Sequence, residues 1–254
     1  MTGVQTCALP ILRIIRSYIS DALNVGQELV LSELATNHLV RVLRLGVGDT
    51  CVLFNGDGFD YQAKITSVVK RGAGVEIVSS HAVTNESPVH ITLVQGIARG
   101  EKMDWILQKA TELGVQRIVP VITDRTEVKL DSERSDKKMN HWMGVVASAC
   151  EQSGRARLPE IIEPCPLSHW PQHDKNFNKF ALDPNGVFGF SDLASTKPIA
   201  VSLAIGPEGG FSERDLATLK AGGFQGLRMG PRILRTETAG PAAIAALNVL
   251  CGDW

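Results

Sequence analysis

The chain is poor in the features that assign a protein quickly. Its five cysteines (Cys7, Cys51, Cys150, Cys165, Cys251) are scattered through 254 residues without a C-x-x-C pair. Neither a disulfide framework nor a metal ribbon is expected, and a reducing cytoplasm fits. No apolar run approaches the roughly 20 residues that span a bilayer. Charge of either sign is not in excess: the formal net charge is −1, from 26 Lys+Arg against 27 Asp+Glu. The balance also holds locally, so any RNA contact must come from how basic side chains are arranged in space. No internal repeat or low-complexity tract interrupts the chain.

Familiar catalytic patterns are missing too. There is no G-x-S-x-G elbow, no Walker loop with its Lys-Ser/Thr, and no dinucleotide fingerprint. His169 and His173 are four apart, but Pro171 lies between them and no zinc-protease Glu accompanies them, so no metal site is expected. Met1–Ile11 lacks the charged start of a signal peptide and reads as extraneous to the fold. With 44% hydrophobic and 21% charged residues, the remainder can form one large or two modest globular domains.

What is present falls into two rhythms. Residues 12–83 carry β signals: Glu28–Leu31, Thr50–Phe54, Phe59–Val69 and Val75–Ser79, separated by Gly-rich turns, read as a meander. Glu33–Leu45 reads as a helix with Leu34, Leu39, Val42 and Leu43 near one face. Such short strands with one helix predict a small β-barrel. Thr84–Pro88 reads as a linker. From residue 89 to 254 strands and helices alternate, which predicts an α/β domain with a mostly parallel sheet. Its strands are expected at Val89–Ile97, Val115–Ile122, Phe180–Leu182, Ile199–Ile205 and Leu227–Met229. Helices are expected after Gly100, over Ser135–Gly154, and from about Ala239 to Leu250. Gly114 stands where a left-handed cap ends the first of these. The final helix is apolar nearly all round and must be buried, in its own domain or against a second subunit.

Two Gly/Pro-bearing turns at strand ends are the candidate site. Gly206-Pro207-Glu208-Gly209-Gly210 lets backbone approach a ligand closely, and Ser212 with Asp215 predicts a capping box for the helix behind it. Glu208 argues against an anionic ligand and for a neutral or zwitterionic one. The second turn, Met229–Ala239, supplies Arg232, Arg235 and Glu237. Thr236 or Thr238 is suited to cap the last helix. The residues alone leave Arg235–Glu237 open between a structural ion pair and a reactive one.

These segments, Ile205–Ser212 and Gly230–Ala239, closely resemble the signature of the RsmE family, ribosomal RNA uracil-N3 methyltransferases of the SPOUT superfamily. Supporting stretches are His38-Leu39-x-Arg41-Val42-Leu43-Arg44, Arg99–Met103, Glu112-Leu113-Gly114, Glu151–Arg155 and Leu158-Pro159. Met229 departs from the usual Leu, a conservative exchange. The resemblance implies a PUA-like RNA-binding β-barrel followed by an α/β SPOUT domain with a deep trefoil knot, acting as a homodimer on the small ribosomal subunit. It places S-adenosylmethionine against Leu182, Pro184, Ile205, Gly206, Pro207, Gly210, Met229, Gly230, Ile233, Leu234 and Thr238. Arg235 and Glu237 are then the catalytic candidates, and Arg13, Arg16, Arg41, Arg44, Arg99, Lys102 and Arg155 the RNA-binding ones. Rival readings are ribose methylation of transfer RNA and an RNA-binding factor without catalysis.

Overall fold

The computed structural model describes residues 14–70, 72–128, 132–196 and 198–254. The segment expected to be extraneous, 1–11, and Arg13 lie outside them. Along the chain, two compact units divide between Val83 and Thr84.

The first unit is built from β1 (Arg16–Tyr18), β2 (Glu28–Val30), α1 (Glu33–Thr36), β3 (Thr50–Phe54), β4 (Phe59–Val69) and β5 (Gly72–Ala82). They form one five-stranded sheet in the order β1-β3-β4-β5-β2. Period-two alternation buries Tyr61, Ala63 and Ile65 on β4 and Ala73, Val75 and Ile77 on β5. Residues beside both edge strands, Ile19 and Leu31, enter the same core. Register shifts at Gln62/Ala63 and Ile65/Ser67 add the local twist that lets a small sheet wrap round one core.

The helix expected over Glu33–Leu45 is shorter and wider. Ser32 Oγ accepts from the Ala35 N–H to start α1, and the chain then opens into a π-helical turn at Asn37–Val42. Arg44 ends it in the left-handed region, at φ 61°. Widening to i→i+5 bonding breaks the 3.6-residue phase. Leu39 is therefore buried while Leu34 and Val42 are exposed, against the expected shared face. Arg41 and Arg44 point outward, with Arg41 Nη2 donating to the Lys70 carbonyl at 2.9 Å. Arg16 corrects the expectation of an RNA contact. Its guanidinium is buried against the Asp60 carboxylate and lies 4.8 Å from the centre of the Phe54 ring. A guanidinium spent on a buried carboxylate and a ring face is not offered to a phosphate.

The second unit runs through β6 (His90–Gly96), α2 (Glu101–Glu112), β7 (Arg117–Ile122), α3 (Ser132–Ser153), β8 (Glu160–Ile161), β9 (Cys165–Pro166) and β10 (Asn178–Leu182). It continues with β11 (Phe188–Gly189), α4 (Phe190–Thr196), β12 (Ala200–Ile205), α5 (Glu213–Ala221), β13 (Gln225–Arg228) and α6 (Thr236–Cys251). Its sheet has the order β11-β13-β10-β12-β6-β7-β8, with β9 also on β7, and its ladders are parallel. The continuous apolar runs of β6, β7 and β12 are buried on both faces, as a parallel sheet between helices requires. Gly114 takes the expected left-handed position after α2, at φ 87°. On α3, Trp142, Val146, Ala149 and Cys150 are buried, whereas Met143 is half exposed. The last strand starts two residues earlier than expected and α6 three residues earlier. Elements of two residues, such as β8, β9 and β11, are too short to leave a periodic signal.

Residues 84–88 belong to the second unit and are tied into it. Asn85 Nδ2 donates to the Gly154 carbonyl at 3.0 Å, and the Ser87 hydroxyl donates to Asn248 Oδ1 at 3.0 Å. Glu86 receives Arg155 Nε at 3.0 Å and Nη2 at 2.6 Å. Arg155 Nη1 donates to the carbonyls of Thr111 at 2.8 Å and Val115 at 2.9 Å. Its side chain is only 4% exposed. The reading of Arg155 as an RNA contact is thus overturned: its donors are spent on the carbonyls left open where α2 ends.

Candidate functional site

The sheet order turns between β12 and β6, the place where parallel α/β sheets leave a crevice at their carboxyl ends. The turn after β12 is Gly206–Gly210. A Cβ on Gly206 would stand 2.8 Å from the carbonyl carbon of Gly210, so the chain folds back on itself with no room for a side chain. Gly210 is left-handed at φ 68° and donates its N–H to the Pro207 carbonyl at 2.8 Å. Behind the turn, the predicted capping box is present. Ser212 Oγ accepts from the Asp215 N–H at 3.0 Å, and Asp215 Oδ2 accepts from the Ser212 N–H at 2.9 Å.

Facing this turn is the segment after β13. The two are joined by Thr236, whose hydroxyl donates to the Gly206 carbonyl at 2.7 Å and accepts from Gln95 Nε2 at 3.0 Å. Thr236 therefore does not cap α6. Arg235 is the N-cap residue and makes no side-chain cap bond, and Thr238 lies exposed two residues beyond Thr236. Between the walls lies a cavity of about 620 Å³. Leu182, Pro184, Ile205, Gly206, Pro207, Gly210, Met229, Gly230, Ile233 and Leu234 all line it. Thr238 does not.

Arg235 and Glu237 both border the cavity, but they form only a loose pair, with Nη1 and Oε1 4.0 Å apart. Arg235 is 83% exposed and Glu237 20% exposed. Glu237 Oε2 is buried and has no hydrogen-bond partner among the described residues. A carboxylate that spent both oxygens on Arg235 would be structural. This one is held only loosely by Arg235, and its other oxygen is buried without a partner among the described residues.

Glu208 alters the electrostatic reading of the turn. Its Oε1 accepts from the Arg99 N–H at 3.1 Å and lies 3.3 Å from Lys102 Nζ. Burial pushes its carboxyl up, but the N–H groups of Arg99 and Glu208 itself, and then Lys102, outweigh that and hold it below the usual range. The charge is thus matched locally rather than directed at a ligand. What disfavours an anion is the N-terminus of α5, already occupied by Asp215 and Asp124. Arg99 is exposed and reaches Glu127 at 2.6 Å, so both it and Lys102 have partners within the chain.

A third wall was not expected from the sequence. The loop after β7 brings Arg125 to the cavity, where Nη1 donates to the Gly209 carbonyl at 2.7 Å. Beside it, Asp124 Oδ2 accepts from the Ser212 hydroxyl at 2.8 Å. The only signal for it in the sequence is a polar Thr123-Asp124-Arg125-Thr126 run leaving a buried strand.

Comparison with known proteins agrees with this geometry. Residues 85–248 match the RNA methyltransferase domain, and residues 35–78 match the RNA methyltransferase PUA domain. The Ribosomal RNA small subunit methyltransferase E of Buchnera aphidicola subsp. Schizaphis graminum is 35% identical, over 95% of this chain and 98% of that protein. Among solved structures, Legionella pneumophila Lpg2936 in complex with bound SAM superposes with a TM-score of 0.92 at 41% identity, covering 96% of this chain and 100% of that one. The Neisseria gonorrhoeae Ribosomal RNA small subunit methyltransferase E bound to S-adenosyl methionine gives 0.87 at 37%, covering 95% and 99%. The likeness covers both units and nearly the whole length, and the chain belongs to the RsmE family of RNA methyltransferases.

Proposed function

We propose that this chain transfers a methyl group from S-adenosylmethionine to N3 of a specific uridine in 16S ribosomal RNA of the assembled small subunit, in the cytoplasm. The observation that carries the reading is the cavity between Gly206–Gly210 and Met229–Glu237, with Arg235 and Glu237 both on its border. The fit to the cofactor is good. A turn that excludes any side chain at Gly206 leaves main-chain groups to read a nucleoside, and Leu182, Ile205, Leu227 and Leu234 offer apolar cover.

S-adenosylmethionine supplies, when bound, an electrophilic methyl group on a sulfonium. The protein's task is to make uracil N3 a nucleophile and aim it. That nitrogen carries a proton and attacks poorly until it is lost. Glu237, whose side chain borders the cavity beside Arg235, is the acceptor assigned to it. The exposed Arg235 guanidinium at the rim stabilises the charge that spreads onto a uracil carbonyl as the proton leaves. Holding the two reactants in line supplies much of the remaining acceleration.

The same reading assigns residues 12–83 to RNA binding and 89–254 to methyl transfer. Arg41 and Arg44, both outward-facing, are the first unit's phosphate contacts; in the second unit they are Lys102, which borders the cavity, and Arg99, whose N–H is bonded to Glu208 of the turn. It includes a deep trefoil knot. In support, β13 lies beyond β10 in the sheet, yet α6 returns to pack on β12 and α2, with Thr236 bonded to Gly206. It also includes a homodimer formed through the outer face of α6.

The test is to incubate small subunits, naked ribosomal RNA and transfer RNA with methyl-labelled S-adenosylmethionine and to map the product by reverse transcription. An N3-methyl blocks base pairing and stops the transcriptase at a uridine of the small-subunit RNA. Label confined to transfer RNA, or absent from every RNA, refutes the assignment. Arg235→Ala is expected to lower kcat about 100-fold or more while cofactor affinity stays within a few-fold.

A further inference from the structure

We propose that Arg125 is a positioning residue that sets the shape of the cofactor turn from outside it. The inference rests on the reading of the cavity as a site for S-adenosylmethionine. The peptide plane joining Gly209 to Gly210 is pinned at two ends. Its N–H donates to the Pro207 carbonyl at 2.8 Å, and its carbonyl accepts from Arg125 Nη1 at 2.7 Å. The stem of Arg125 also covers Gly209, with Arg125 Cβ 3.1 Å from the position a Gly209 Cβ would take.

Two adjacent glycines, one left-handed, have more conformations to lose than any other pair. Removing one of the two pins lets the plane rotate and frees a carbonyl at the cavity wall. Nothing within the turn replaces the lost donor, because Thr236 holds Gly206 and Pro207 already bonds Gly210. The brace itself is firm. Asp124 is fixed by Ser212 and Asp215, and Thr126 Oγ1 accepts from the Thr123 N–H at 2.9 Å. The loop after β7 thus transmits the rigidity of a buried strand to a turn on a different strand. A charged donor suits this work, since a charge-assisted bond is about twice as strong as a neutral one. The exposed location of Arg125 leaves the fold itself independent of it.

The experiment is calorimetric titration of wild-type, Arg125→Ala and Arg125→Lys with S-adenosylmethionine and, separately, with methylthioadenosine, which keeps the nucleoside and lacks the amino-acid end. Loss of the anchor is expected to raise Kd for both ligands about tenfold in Arg125→Ala, the scale of one charged hydrogen bond. Lysine should recover part of the loss. In turnover assays the KM for S-adenosylmethionine should rise by a similar factor while kcat changes little. The melting temperature without ligand should move little. Unchanged Kd in Arg125→Ala overturns the proposal. So does weakened S-adenosylmethionine binding with unchanged methylthioadenosine binding, which would make Arg125 a direct partner of the cofactor's carboxylate. Failure of the wild-type protein to bind either ligand would instead remove the cofactor reading beneath it.

Discussion

At the scale of single residues, the same side-chain type does opposite work according to what surrounds it. Arg155 and Arg16 are interior fixings, Arg125 braces a turn, and Arg235 stands almost free at the cavity rim. Glu208 offers a pH test of the same principle. Its carboxyl is held below the ordinary range in the folded chain, so its contribution to stability is full above the unfolded carboxylate value. That contribution is lost as pH falls through the lower folded value. Melting curves from neutral to acid pH should therefore separate wild-type from Glu208→Gln at neutrality and converge at the acid end. A constant gap across that range would contradict the Lys102 and Arg99 contacts.

Among elements, the parallel sheet places the site, and short ties hold its loops in register. Glu86–Arg155 is one such tie, and its loss should be costly because it leaves a carboxylate and two carbonyls poorly paired. Arg155→Ala is expected to destabilise the second unit by about 3 kcal/mol or more. Urea denaturation followed by tryptophan fluorescence isolates that unit, since Trp105, Trp142, Trp170 and Trp254 all lie in it. Adding Glu86→Gln to that variant should cost little more than Arg155→Ala alone, because the pair acts as one.

Legibility in the sequence followed locality. The capping box of Ser212 and Asp215 and the left-handed Gly114 involve residues within three or four positions, and they stand as read. The two turns were recognisable from glycine, proline and charge. The early start of α6 was not, because its first residue is held by Gly206 and Gln95, 30 and 141 positions away. Nor was the burial of Arg155, whose partners Glu86 and Thr111 are 69 and 44 positions distant. The phase of Glu33–Leu45 failed for a different reason: a π-helical turn has no distinct apolar period to count.

For the molecule as a whole, the outer face of α6 remains the open surface that matters most. Ala242 and Ala245 are partly covered, while Thr238 and Val249 on the same stripe are exposed. Small side chains with an apolar end suit close approach of an identical helix. The proposed dimer predicts that light scattering of the wild-type protein gives twice the 27.4 kDa chain mass. Ala245→Glu should halve it, with loss of methyl transfer. A wild-type protein that scatters as a single chain at micromolar concentration would remove the dimer from the reading.

The turn at Gly206 has one more consequence, for inhibitors. Its wall is main chain, and any side chain introduced at Gly206 would run into Gly210. A competitive compound that takes its contacts from this backbone therefore leaves few point substitutions by which the protein could evade it and still hold its own methyl donor. Resistance would have to arise at the rim, among side chains such as Arg232 and Ile233 that the turn does not constrain.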